Sequence, residues 1–324
     1  MRPADELRVA VVGATGAVGT QLVELIAARG FPHRELKLFA GETGTAAALE
    51  AGGESRLVET LSAPGDLSDF DIAFLALPAP RAAEIVSARP GPILIDLSAA
   101  NRVPDSKVPI FAPGLTPNAE IELLRTATVV APPHPAAHAI AACLKALDAH
   151  DGFAAVTVML GASAGGKGTL TAVVEQTTDL LSARLDLEAG EAQRGFNIFM
   201  REHERSLAAT IATQAAALLE RSPRLSVQVA AVPIPHGCGL TIDLPWNANG
   251  AGARDRLRAA PGLLLSDEGE PLGTLDAAGE EAIFVSAEER PGALSLWCVF
   301  DNSRLAALDA LWIAERIAAS SPPG

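Results

Sequence analysis

Three glycines at three-residue spacing, in Gly13-Ala14-Thr15-Gly16-Ala17-Val18-Gly19, lie directly between a β-branched stretch at residues 7–12 and a helical apolar pattern of Val18, Leu22, Leu25 and Ile26. A strand that turns through glycines into a helix is the opening of a βαβ unit. Glycine lets the main chain come close to an anion, and the N–H groups and dipole at the helix start attract it. The position therefore points to the pyrophosphate of a dinucleotide, held by Gly13, Thr15, Gly16, Ala17, Val18 and Gly19. A simple tight turn is the other reading of the same glycines.

The rest of the N-terminal half alternates in the same way. Extended stretches are expected at residues 36–39, 57–61, 71–77 and 92–97, with a helical stretch at 81–89 between the last two. Residues 72–77 are Ile-Ala-Phe-Leu-Ala-Leu, apolar at every position, as a parallel strand covered by helices on both faces requires. The fold class is α/β: a Rossmann-type doubly wound parallel sheet over residues 1–130. After that the pattern changes. Helical patterns at 136–147, 170–181, 207–219 and 254–259 mix with extended runs at 154–160, 225–232, 240–244, 283–286 and 294–300. This predicts a second, α+β domain over residues 131–301 on a mostly antiparallel sheet. The amphipathic helix 302–320, with Leu308, Leu311 and Trp312 on one face and Asp301 or Asn302 as its cap, completes the first domain.

Composition removes whole classes of function. A hydrophobic share of 49% in 324 residues is enough to bury a sizeable core. The formal charge of -14 repels nucleic-acid phosphates and anionic lipid surfaces, so neither is expected as a partner. Cys143, Cys238 and Cys298 are too scattered for a disulfide framework or a paired metal motif, which points to free thiols in a reducing compartment. No apolar run reaches the ~18 residues of a membrane helix, and the acidic start does not read as a signal peptide, so the expected location is cytoplasmic. Beyond the second strand stands Glu42, with no basic residue beside it to hold a 2′-phosphate. That leans toward NAD over NADP, and a solvated loop glutamate reads equally well.

Several segments together resemble one family. The opening at residues 9–26, the run Ile95-Asp96-Leu97-Ser98-Ala99-Ala100-Asn101-Arg102, the piece Val232-Pro233-Ile234 and the ending Asp301-Asn302-Ser303-Arg304 are similar to aspartate-semialdehyde dehydrogenase, across nearly the whole chain. The related N-acetyl-glutamyl-phosphate reductases share less, including Phe74-Leu75-Ala76-Leu77-Pro78. The resemblance implies an NAD- or NADP-linked enzyme of amino-acid biosynthesis that interconverts an acyl phosphate and an aldehyde through a cysteine thioester. It further implies a homodimer or larger assembly built on the second domain. Residue by residue it carries over Arg102 as a phosphate-binding arginine and Ser163, in a Ser-Gly-Ala-Gly-like turn, as a dinucleotide contact.

The same resemblance implies that several of the family's groups are missing. The family's Asn-Pro-Asn-Cys-Ser-Thr motif falls on Pro132-Pro133-His134-Pro135-Ala136-Ala137, which puts Pro135 at the nucleophile. Its Arg-Val-Pro-Val-x-x-Gly-His motif falls on residues 231–238, which puts Ala231 at the substrate arginine and Cys238 at the histidine. The expected glutamine falls on Leu160, or on Met159 if the register slips, and the nicotinamide asparagine on Asp309. No lysine follows Lys167 to bind phosphate in the second domain. The pattern is that of a scaffold retained without its reaction. The alternative is an active NAD(P)-dependent oxidoreductase on an aldehyde or acyl phosphate with reassigned groups, for which His134, His236 and Cys238 are the candidates. A zinc site on His134, His138, His236 and Cys238 is a third arrangement of the same atoms; the bland alternative is solvent-facing or capping histidines, and no metal is expected.

Overall fold

The computed structural model describes residues 3–40, 47–98, 108–117, 122–149, 152–184, 186–187, 192–219, 223–247 and 252–319. They divide into two compact units, one up to His134 together with the residues from Ala306 on, the other Pro135–Leu305.

In the first unit β1 (Arg8–Val12) runs through the glycine loop into α1 (Ala17–Ala28) and returns as β2 (Glu35–Ala40). Then follow β3 (Ala47–Ala51), β4 (Glu54–Thr60), β5 (Ile72–Leu75), α2 (Ala79–Ala88), β6 (Ile93–Asp96) and β7 (Val129–Val130). Among the described residues these form a seven-stranded sheet in the order β3-β4-β2-β1-β5-β6-β7, parallel except where β3 pairs with β4. The chain leaves β1 toward β2 on one side and comes back to β5 on the other. The carboxyl ends of β1 and β5 therefore form a topological switch point, where open α/β sheets bind ligands. Both faces are dry, as the unbroken apolar strands require: Val9, Val11, Ile72 and Phe74 pack with α1 and the C-terminal helix, while Ala10, Val12, Ala73 and Leu75 pack with α2.

The second unit contains α3 (Pro135–Ala146), β8 (Phe153–Leu160), α4 (Gly166–Leu181), α5 (Glu202–Ala217), β9 (Arg224–Ala231), β10 (Cys238–Trp246), α6 (Ala253–Ala259), β11 (Leu263–Leu265), β12 (Ile283–Arg290) and β13 (Gly292–Phe300). Its six-stranded sheet has the order β11-β12-β13-β10-β8-β9. The inner pairings are antiparallel, and the two marginal ones, β8 with β9 and β11 with β12, are parallel. Helix α3 packs on β10, and α5 on β9 and α3. The helix-covered face carries Val156, Val158, Leu240, Ile242 and Leu296, all buried. The opposite face carries Thr157, Thr241 and Trp297, which are half-buried.

The last helix, α7 (Asn302–Ala319), starts in the second unit and ends in the first. Its cap is Asp301, whose Oδ1 accepts the N–H groups of Ser303 and Arg304 at 3.0 Å each. Three strands lie outside the sequence expectations, β3, β7 and β11. No helix among the described residues is long and apolar enough to cross a membrane.

Candidate functional site

The glycine loop shows three distinct reasons for glycine. Gly13 has φ +88, and a Cβ on it would meet Ala76 O at 2.2 Å. A Cβ on Gly19 would lie 2.1 Å from Gly13 O, so this glycine lets α1 close down on the loop. Gly16 is different: its φ of -78 suits any residue, and its Cβ would lie 3.3 Å from Gly13 O. The protein itself asks little of that position, so the glycine there fits an outside group that comes close to the main chain. The loop is held from behind, by Gly13 N–H and Ala14 N–H donating to Phe39 O at 2.8 and 3.0 Å, and by Thr20 Oγ1 donating to Gly16 O at 2.9 Å. Thr15 is exposed at the crest, and Gly16, Ala17 and Val18 are half-buried. Helix geometry leaves the N–H groups of Ala17, Val18 and Gly19 without intrahelical acceptors, which is what a pyrophosphate requires. These residues fit a dinucleotide. Glu42 and Arg102 lie outside the described residues.

In the second unit the strand register brings together positions far apart in sequence. Ala231 pairs with Leu160, Leu160 with Cys238, and Cys238 with Phe300. Directly paired residues project to the same face, here the helix-covered one, so the positions read above as the family's arginine, glutamine and histidine form one continuous row. The row holds a methyl group, an isobutyl group and a thiol. Leu160 and Cys238 are buried. Burial pushes the Cys238 thiol well above its ordinary range, and its Sγ donates to the Gly239 carbonyl at 3.7 Å. A thiol kept protonated in this way is neither a nucleophile nor a proton carrier near neutral pH.

Pro135 is the first residue of α3 and is buried. His134 precedes the helix and is half-buried, His138 is buried within it, and His236 is exposed on the loop before β10. Among the described residues no three His, Cys, Asp or Glu side chains converge as a metal site. Cys143 and Cys298 lie together in the core with sulfurs 3.8 Å apart, and their hydrogen bond, ahead of burial, pushes the Cys298 thiol up. Asp309 is fully buried in α7.

The turn with Ser163 is stitched to the loop before β10: Gly161, Ala162 and Ser163 donate their N–H groups to the carbonyls of Gly237, Ile234 and Pro235. Ser163 Oγ donates to Asn302 Oδ1 at 3.1 Å, both residues being buried. Sequence reasoning weighed Asn302 only as a helix cap. Asp301 takes that role, and Asn302 fixes the serine instead. Nothing local marks this partnership, since the two residues are 139 positions apart.

A doubly wound unit with a pyrophosphate-type glycine loop, joined to an α+β unit, defines a nicotinamide-dinucleotide-binding protein of the dehydrogenase type. Residues 8–124 match the family "Semialdehyde dehydrogenase, NAD binding domain". The chain is 31% identical over 335 residues to a USG-1 protein homolog of Pseudomonas aeruginosa, which covers 95% of this chain and 97% of that one. It is 30% identical over 349 residues to the aspartate-semialdehyde dehydrogenase of Streptomyces akiyoshiensis, covering 97% and 99%. A solved structure of a probable aspartate-semialdehyde dehydrogenase from Pseudomonas aeruginosa has a TM-score of 0.81 at 28% identity, covering 96% and 98%. The chain belongs to the aspartate-semialdehyde dehydrogenase family, and its cofactor class is NAD or NADP.

Proposed function

We propose that this protein is a dinucleotide-binding homodimer of the family that does not carry out the family's acyl-transfer reaction. The observation that carries this reading is the row Ala231, Leu160, Cys238, in which no side chain can bind a carboxylate or move a proton at neutral pH, together with the buried Pro135 at the nucleophile position. Loss of the nucleophile from a coupled catalytic group costs on the order of a millionfold in turnover. The loop from Gly13 to Gly19 holds the pyrophosphate. When bound, the nicotinamide supplies or accepts hydride. This chain's own residues bind and orient it but offer no sulfur to carry the acyl group.

The sheet face opposite the helices supports the dimer. Thr157, Thr241 and Trp297 form one half-buried row on it, since Thr241 pairs with Thr157 on β8 and with Trp297 on β13. A regular face of this kind pairs with its own copy about a two-fold axis.

The test is an assay of the full chain with aspartate semialdehyde, inorganic phosphate and either NAD or NADP, beside a titration with NADH and NADPH. Reduced dinucleotide should bind and no turnover should be seen. A rate that Cys238→Ser abolishes would overturn the reading in favour of reassigned catalytic groups.

A further inference from the structure

At the outer end of the same row the sheet gains one more pairing. Phe199 and Ala231 exchange both main-chain hydrogen bonds, N–H to O at 3.2 and 3.0 Å, in an antiparallel bridge. Their side chains therefore lie on one face, with Cβ atoms roughly 5 Å apart. Two guanidinium groups rest on the Phe199 ring: Arg194 Cζ lies 5.6 Å from its centroid and Arg201 Cζ 5.3 Å. Among the described residues no carboxylate stands within ion-pair distance of either. The nearby acids are otherwise engaged, Glu204 accepting the Arg201 N–H at 2.9 Å and Glu202 lying 3.9 Å from Arg205. Arg201 also occupies the N-cap of α5, where the helix dipole adds positive potential.

Two cations sharing one aromatic ring in a chain of charge -14 call for a reason. Stacking on the ring fixes each guanidinium plane and leaves its N–H edge for a partner. An anion beside such a pair is attracted by both cations. A planar fork takes a carboxylate or a phosphate by two parallel hydrogen bonds, and two forks can take the two ends of one small dicarboxylate. Ala231, across the bridge from Phe199, itself adds only a methyl group on that face.

We infer that Arg194 and Arg201, mounted on Phe199, form a binding site for a small dicarboxylate at the edge of the β9 end of the row. The site stands on this geometry alone and does not depend on the dinucleotide reading, whose loop lies in the other unit. A second cation of this kind gives the protein a ligand to sense without a reaction to perform on it.

The experiment is isothermal titration of the full chain with succinate at low ionic strength, beside inorganic phosphate as a competing anion. Succinate should saturate one site per chain, and Arg194→Ala and Arg201→Ala should each weaken it by about tenfold or more. Arg201→Lys, which keeps the charge and loses the fork, should fall between the wild type and Arg201→Ala. Should Arg201→Ala fail to fold, Arg201→Gln gives the same readout. NADH affinity should be unchanged in every variant, which keeps this result separate from a failure of the glycine loop. Absence of saturable succinate binding, equal affinity in wild type and folded variants, or phosphate binding more tightly than succinate would each overturn the inference.

Discussion

Alanine at Gly16 and at Gly19, one at a time, separates what the ligand demands from what the protein demands. At Gly19 the new Cβ would sit 2.1 Å from Gly13 O and 2.8 Å from Ala14 Cα, main-chain atoms that cannot swing aside. Alanine gains about 1 kcal/mol over glycine inside a helix, and overpacking of a rigid site costs about 3 kcal/mol, leaving a net loss near 2 kcal/mol. At Gly16 the contact is 3.3 Å, so the neighbour yields a few tenths of an ångström. Exchanging a glycine N-cap for alanine costs roughly 0.5–1 kcal/mol. With about 2–4 °C of Tm per kcal/mol for a chain of this order, Gly19→Ala should lose about 4–8 °C and Gly16→Ala about 1–4 °C. Dinucleotide affinity should follow the opposite order relative to stability. A methyl group at Gly16 stands where the pyrophosphate approaches, so NADH binding should weaken by about tenfold or more. Scanning fluorimetry with and without NADH, and fluorescence titration of NADH, read both quantities on the same samples. Gly16→Ala binding NADH as tightly as the wild type would refute the assignment of this loop to pyrophosphate.

Other expectations follow from single observations. Asp301→Ala removes the cap of α7 and the bond from Gly279 N–H at 3.0 Å, and should cost about 1–2 kcal/mol in urea unfolding; a loss below a few tenths would contradict the capping role. Below the ordinary thiol value of 9.0 both folded and unfolded states hold the Cys238 proton, and pH has no effect through it. Above that value the unfolded chain releases the proton and the folded one keeps it, so stability should fall by about 1.4 kcal/mol per pH unit for this thiol. Cys298, also shifted upward, adds to the same slope. Unfolding curves between pH 8 and 10 should show the decline, reduced in Cys238→Ala, and a flat profile would contradict the burial argument. Thr241→Arg places a charge on the half-buried sheet face and should convert the proposed dimer to monomer in light scattering; an unchanged mass would remove that face from the assembly.

How much of this was legible in the sequence depended on range. The glycine loop was readable because strand, turn and helix signals lie within 20 residues and all favour one geometry. Helix α7 was readable from Leu308, Leu311 and Trp312. Strand β3 was not, since Ala-Ala-Leu-Glu-Ala favours a helix by propensity and is extended only through its pairing with β4. Strand β11, with three residues, is too short to show a period. Helices α4 and α5 start about a turn earlier than their apolar patterns, at Gly166 and Glu202, because their first turns carry glycine or charge. That Pro135, Ala231 and Cys238 stand where the resembled motifs carry other residues is a reading of the sequence alone. That Ala231, Leu160 and Cys238 form one row could not be read there, because strand register is fixed by contacts between distant segments. The same holds for Arg194 and Arg201, which look like solvated charges until Phe199 is placed between them.

The proposed function requires that no side chain of this protein carries an acyl group. Intact-mass measurement of the full chain after incubation with aspartate semialdehyde and oxidised dinucleotide, without phosphate and with an acid quench, tests it directly. The unmodified mass is expected. An acyl adduct on any residue, mapped by peptide digestion, would contradict it.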